Sequence, residues 1–224
     1  MPPVGSIGKR SSPSVLRGRL MADAGKNRDA GSMLAVKAPI AELRQLEKDL
    51  ADVVLANINS PEQGVFSGSQ TAIEAAKDAC IQKGYKSVQL PVAAAFHSPL
   101  VEAAQVPFSQ AVAQAAITPT ATPVYANVSG LPYPGDSREA ADLLGRQLTS
   151  PVQFQPIVEN LFSAGVRTFI EVGPKSVLSG LVRATLASDA ICVLALDRSA
   201  GKSSGMLDLA HVLAQLAVLA PGST

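Results

Sequence analysis

Residues 33–92 read MLAVKAPIAELRQLEKDLADVVLANINSPEQGVFSGSQTAIEAAKDACIQKGYKSVQLPV, and the order of periodicities within this stretch decides the fold. Met33 to Lys37 is a short strand, and Pro39 to Leu50 carries Ile40, Leu43, Leu46 and Leu50 at helical spacing. Val53 to Asn57 reads as a second strand, Asn59-Ser60-Pro61-Glu62 as a turn, and Gly64 to Ser67 as a third strand. Ser69 to Lys83 reads as a helix ended by Gly84, and Ser87 to Val92 as a fourth strand. The order βαββαβ is the split-βαβ, ferredoxin-like arrangement, in which two helices cover one face of a four-stranded antiparallel sheet.

Outward from this unit the pattern changes. Downstream, longer helical segments (Leu100 to Ala115, Ser137 to Leu148, Pro151 to Ala164, Lys175 to Ala187) alternate with single strands (Val124 to Asn127, Thr168 to Val172, Ile191 to Leu196). That alternation predicts an α/β layer with a largely parallel sheet. Upstream, Pro13 to Ala24 reads as helix and Gly25 to Ser32 as a polar loop. Gly205 to Leu219 makes a last helix, and Pro221 to Thr224 reads as a frayed end or linker.

Composition removes several function classes. The 224 residues carry 19 Lys+Arg against 18 Asp+Glu, a net charge of +1 without blocks of like sign, so no nucleic-acid footprint appears. The longest apolar run, Leu207 to Leu219, is broken by Asp208, His211 and Gln215 and is shorter than the ~20 residues of a membrane span. The opening MPPVGSIGKRSS lacks the apolar core of a secretory signal, so a cytoplasmic address is the expectation. Cys80 and Cys192 stand far apart in apolar segments, as reduced core residues do.

Two histidines are available for acid–base chemistry. His211 sits among leucines at helical spacing, as a structural residue would. His97 follows Ala93-Ala94-Ala95 and Phe96 and precedes Ser98-Pro99 at a strand-to-helix junction, where an α/β scaffold presents side chains to a cleft. A half-buried structural histidine fits the same pattern.

The stretch LPVAAAFHSPLVEAA (90–104) resembles the catalytic-histidine motif of the acyltransferase domains of fatty-acid, polyketide and polyunsaturated-fatty-acid synthases, the malonyl-CoA:acyl-carrier-protein transacylase family. VLRGRLMADAG (15–25), VVLANINSPEQGVFSGS (53–69), PVYANVSGLPY (123–133), LLGRQLTSPVQF (143–154) and GVRTFIEVGPKSVLSGLVRATL (165–186) resemble other segments of that family, in its order. An ordered set of this kind is far more specific than one short motif. The resemblance implies an α/β, hydrolase-like acyltransferase domain with an inserted ferredoxin-like βαββαβ subdomain. On this chain it predicts an irregular start over 1–13, the large subdomain in 14–32 and 93–204, the inserted subdomain in 33–92, and a terminal helix and linker in 205–224. The segment LALDRSAGKSSGMLDLAHVLAQLAVL (194–219) resembles the linker that follows acyltransferase domains in multidomain synthases.

The resemblance also implies roles. His97 would be the general base that deprotonates a serine and then, as imidazolium, protonates the departing thiolate of coenzyme A. Arg17 matches the arginine that holds the free carboxylate of malonyl-CoA, a bidentate task that suits guanidinium. Gln147 matches a residue whose main-chain carbonyl orients the histidine ring. Phe96, just before the histidine, would fill the space that an α-methyl branch needs and so favour malonyl over methylmalonyl, a discrimination of ~1–3 kcal/mol per methylene of misfit. No permanently bound cofactor or metal is implied. The substrates would be a coenzyme A thioester and the phosphopantetheine of an acyl carrier protein, with other synthase domains as further partners.

One part of the family pattern is not found. The nucleophile of the family lies in a GHSxG elbow, farther upstream than the sixteen residues preceding Arg17. Ser6, in Val4-Gly5-Ser6-Ile7-Gly8, lacks the elbow's first glycine and histidine, and Ser98 fits an N-terminal helix position. The expectation is therefore a truncated reading frame or a piece of a larger synthase, inactive and aggregation-prone by itself. A non-enzymatic module that binds a carrier protein or another part of a synthase is the alternative.

Overall fold

In the computed structural model the residues described are 13–24, 26, 30–115, 117, 118 and 120–219. Four strands, β1 (Ser32–Lys37), β2 (Val53–Ser60), β3 (Gln63–Gly68) and β4 (Lys86–Gln89), form one antiparallel sheet in the order β2-β3-β1-β4. Helices α2 (Ile40–Asp49) and α3 (Gln70–Gln82) cover one face. Leu34, Leu43, Phe66 and Ile73 are sealed between the layers, each worth roughly 1.5–3 kcal/mol of burial. Ser69 caps α3 by accepting the Ala72 amide at 3.2 Å.

β4 stops at Gln89 rather than running to Val92, since Pro91 has no amide to continue the ladder. The opposite face of the sheet presents Met33, Ala56 and Val65, and Leu90 and Phe96 of the following loop pack on it. Gly31 lets this loop approach. It has φ +72°, and a Cβ there would lie 2.5 Å from the Gly68 carbonyl oxygen and 2.6 Å from Ala95 Cβ.

Helix α1 (Pro13–Ala24) packs on α4 (Glu102–Ala113), which is entered through a 3₁₀ turn over Pro99–Val101. Helix α5 (Ser137–Gly145) crosses α4 so closely that a Cβ on Gly145 would lie 2.6 Å from Ser109 Oγ. Leu20, Met21, Phe108, Val112, Ala141 and Leu148 fill this helical cluster.

Helices α6 (Phe154–Ser163) and α7 (Val177–Leu186) pack with β5 (Thr168–Pro174) and β6 (Cys192–Asp197) around Val158, Val182 and Val193. β5 and β6 run parallel, and they are the only parallel strand pair among the described residues. Glu171 of β5 accepts the Ser179 hydroxyl at 2.7 Å and the Ser179 and Leu178 amides at 2.8 and 3.1 Å, capping α7. Burial works to raise its pKa, but the hydroxyl and the amides of Ser179, Leu178 and Val177 outweigh it and hold the carboxyl below its ordinary range. Helix α8 (Gly205–Leu219) follows and contacts β6.

The expected strand at Val124 to Asn127 is replaced by one isolated bridge, Tyr125 to Pro132. The backbone there turns on itself, with the Ala126 amide on Leu131 and the Tyr133 amide on Val124, and Pro123, Pro132 and Pro134 remove the donors that a ladder needs. Val152, just before α6, bridges the edge strand β2 in parallel, its amide on Ala56 and its carbonyl on the Ile58 amide. That bridge ties the ferredoxin-like sheet to the second layer.

Candidate active site

His97 lies in the seam between these layers. The Ala95 amide donates to the Ala30 carbonyl at 2.6 Å and the His97 amide to the Leu148 carbonyl at 3.1 Å. His97 itself has φ 59°, a left-handed conformation that costs a non-glycine residue of order 1–3 kcal/mol and persists only where its surroundings fix it. The fixing groups are carbonyls at the end of a helix. Arg146–Leu148 continues α5 as a 3₁₀ turn, and its last carbonyls have no partners of their own within the helix. Leu148 takes the His97 amide, while Gln147 and Ser150 each present a carbonyl oxygen 3.1 Å from His97 Nδ1.

Carbonyl oxygens only accept, so this geometry requires the proton on Nδ1, and in the neutral ring Nε2 keeps its lone pair. Burial pushes the His97 pKa down; the Gln147 and Ser150 carbonyls oppose this, and the Arg17 charge adds to it, leaving the net value below the ordinary one. A neutral imidazole with a free Nε2 is a proton acceptor at neutral pH.

Arg17, on α1, is thus within electrostatic reach of His97. Its Nε is buried and makes no hydrogen bond among the described residues, and no carboxylate pairs with its guanidinium there. A buried, unpaired donor on a permanently charged group is costly unless an anion completes it. Arg19 is exposed. Phe96 turns onto the apolar face of Met33, Ala56 and Val65, linking the segment beside the histidine to the sheet.

Ser98 is buried, donates its hydroxyl to the Ala95 carbonyl at 2.6 Å and accepts the Leu100 amide at 3.3 Å, so it is a capping residue. Ser6 lies outside the described residues, as do 221–224. Cys80 and Cys192 are both unpaired thiols, Cys80 fully buried with its pKa raised by that burial. No group of three or more metal-binding side chains occurs among the described residues, and no helix among them is long and apolar enough to cross a membrane.

Ser150 could not be found from the sequence, because a main-chain carbonyl leaves no signature in residue type. The second residue that spacing alone could not find is Gln105, whose side-chain oxygen accepts the Thr149 hydroxyl and ties α4 to the turn holding His97.

Comparison with known proteins agrees with this architecture. Residues 12–213 match the family described as acyl transferase domain. The chain is 39% identical over 191 residues to a polyunsaturated fatty acid synthase polypeptide of Thraustochytrium sp., covering 84% of this chain and 7% of that protein. It is 35% identical over 159 residues to the malonyl CoA-acyl carrier protein transacylase of Bacillus subtilis, covering 68% of this chain and 50% of that protein. Among solved structures, the malonyl CoA-acyl carrier protein transacylase of Clostridium perfringens superposes with TM-score 0.81 at 29% identity, covering 93% of this chain and 65% of that one. The acyltransferase domain from the second module of the salinomycin polyketide synthase gives TM-score 0.81 at 27% identity, covering 91% and 47%. The chain therefore spans about half the length of the Bacillus subtilis relative.

Proposed function

The chain belongs to the acyl transferase domain family, and from this we propose that it supplies the acid–base and substrate-holding part of malonyl transfer from malonyl-CoA to the phosphopantetheine thiol of an acyl carrier protein. The observation that carries this reading is the pair of carbonyls, Gln147 and Ser150, each 3.1 Å from His97 Nδ1. They fix the tautomer in which Nε2 accepts a proton. In the forward half-reaction Nε2 takes the proton of a serine hydroxyl as its oxygen attacks the thioester carbon. The carbon–sulfur bond then breaks, and the imidazolium returns the proton to the departing thiolate. The carrier thiol reverses the sequence, giving its proton to His97 as its sulfur takes the malonyl group from the serine.

Arg17 holds the free carboxylate of the malonyl group, a role supported by its buried, unpartnered Nε. Phe96 restricts the space beside the acyl carbon. Attack needs a serine within reach of Nε2, and the family's GHSxG pattern does not occur in the 224 residues.

The test is reconstitution: the chain is combined with a polypeptide carrying the GHSxG elbow of a relative, and malonyl loading of a carrier protein is followed by intact mass. The expected result is loading that falls about 10²–10⁴-fold in His97→Ala, a higher KM for malonyl-CoA in Arg17→Gln, and no adduct on the chain alone. Loading undiminished in His97→Ala contradicts the base role. An adduct on the chain alone, lost in Arg17→Gln, places a nucleophile within these residues and overturns the division proposed.

A further inference from the structure

Away from His97, a cleft of about 450 Å³ opens between α7, the end of β6 and α8, within the size range of small-molecule sites. None of its walls comes from Arg17, Phe96, His97 or Gln147.

The side of α8 that lines it is unexpected. On the cleft side Asp208 and Val212 are buried, with exposed His211 and Gln215 beside them, whereas Met206 is 74% exposed and Val218 85% exposed.

Two guanidiniums, both on exposed residues, line the same cleft. Arg183 is anchored by Nη2 on the Val193 carbonyl at 2.6 Å and by Nη1 on the Ser179 carbonyl at 3.5 Å. Arg198 forms no hydrogen bond or ion pair among the described residues, and neither arginine has a carboxylate partner there. Two nearby acids are otherwise committed. Asp208 accepts the Ser199 amide at 3.2 Å and bonds the Ser199 and Ser203 side chains, and Glu171 caps α7. Val193, Ala195 and Val212 give the cleft an apolar wall.

We propose that this cleft binds an organic phosphate, the phosphate on Arg183 and Arg198 with Gln215 as a further donor, and the organic body against Val193, Ala195 and Val212. Two guanidiniums lining one cleft without carboxylate partners among the described residues suit a tetrahedral anion that accepts several charge-assisted bonds.

The full chain is titrated calorimetrically with adenosine 3′,5′-bisphosphate, inorganic phosphate and adenosine. The expected result is one saturable site for the bisphosphate, weakened about tenfold or more by Arg198→Gln and unchanged by Arg17→Gln and by Arg138→Gln on α5. Arg198 is the diagnostic position because Arg183 also supports the backbone. Binding of inorganic phosphate as tight as the nucleotide overturns the role of the apolar wall, and equal binding of adenosine overturns that of the arginines. Binding lost in Arg17→Gln but retained in Arg198→Gln assigns the nucleotide to the active site and overturns the inference without touching the proposed function. Absence of saturable binding also overturns it.

Discussion

The sheet of β1–β4 and the layer of β5–β6 are built on different terms. In the first, each strand has its antiparallel neighbours and the helix-covered face encloses a core in which Phe66, Leu34 and Leu43 are fully buried. In the second, two parallel strands hold a core of three buried valines, while Val172 of β5 is 81% exposed and Val177 and Leu178 of α7 are exposed as well. Parallel strands ordinarily need cover on both faces. Stability is therefore concentrated in the ferredoxin-like sheet, whereas His97 draws its geometry from the seam that joins the two.

Substitutions in the two cores put this contrast at risk first. Phe66→Ala should cost about 3–5 kcal/mol in denaturant unfolding, the range for a buried aromatic. Val193→Ala, in the smaller core, should cost about 1.5 kcal/mol, two methyl groups' worth; equal losses at the two sites would remove the distinction. Glu171→Gln should cost about 1 kcal/mol or less, as the loss of a partly exposed helix cap. The sign with pH is fixed by its lowered pKa. Its stabilisation is present above the unfolded value of about 4.3 and disappears as pH falls through the lower native value, so wild type and variant should converge in acid. A subtler change is expected at the seam: Arg17→Gln removes a like charge and should raise the His97 pKa, read from its ring proton by NMR. An unmoved titration would separate α1 from the site.

The ferredoxin-like order was legible because each of its elements carries a clean period: Leu43 and Leu46 at helical spacing, and strands bounded by Pro61 and Gly84. Val124 to Asn127 misled because an apolar run among prolines has strand composition but lacks the amides for a ladder. At the site, His97 stood out by its strand-to-helix position. Its left-handed backbone and the Ser150 carbonyl were not legible, since both arise from contacts fifty or more residues apart in the chain. His211 reads in the sequence as a structural histidine among leucines, yet in the fold it is exposed and lines a cleft with Asp208 and Gln215.

The seam itself is open to direct test by long-range ¹H–¹⁵N NMR of the two histidine rings at neutral pH, with His97 assigned through His97→Ala. The expected result is a neutral His97 ring protonated at Nδ1, with Nε2 bare and a titration below the ordinary histidine value. A ring protonated at Nε2 alone, or an imidazolium at neutral pH, would contradict a seam that holds His97 as a base.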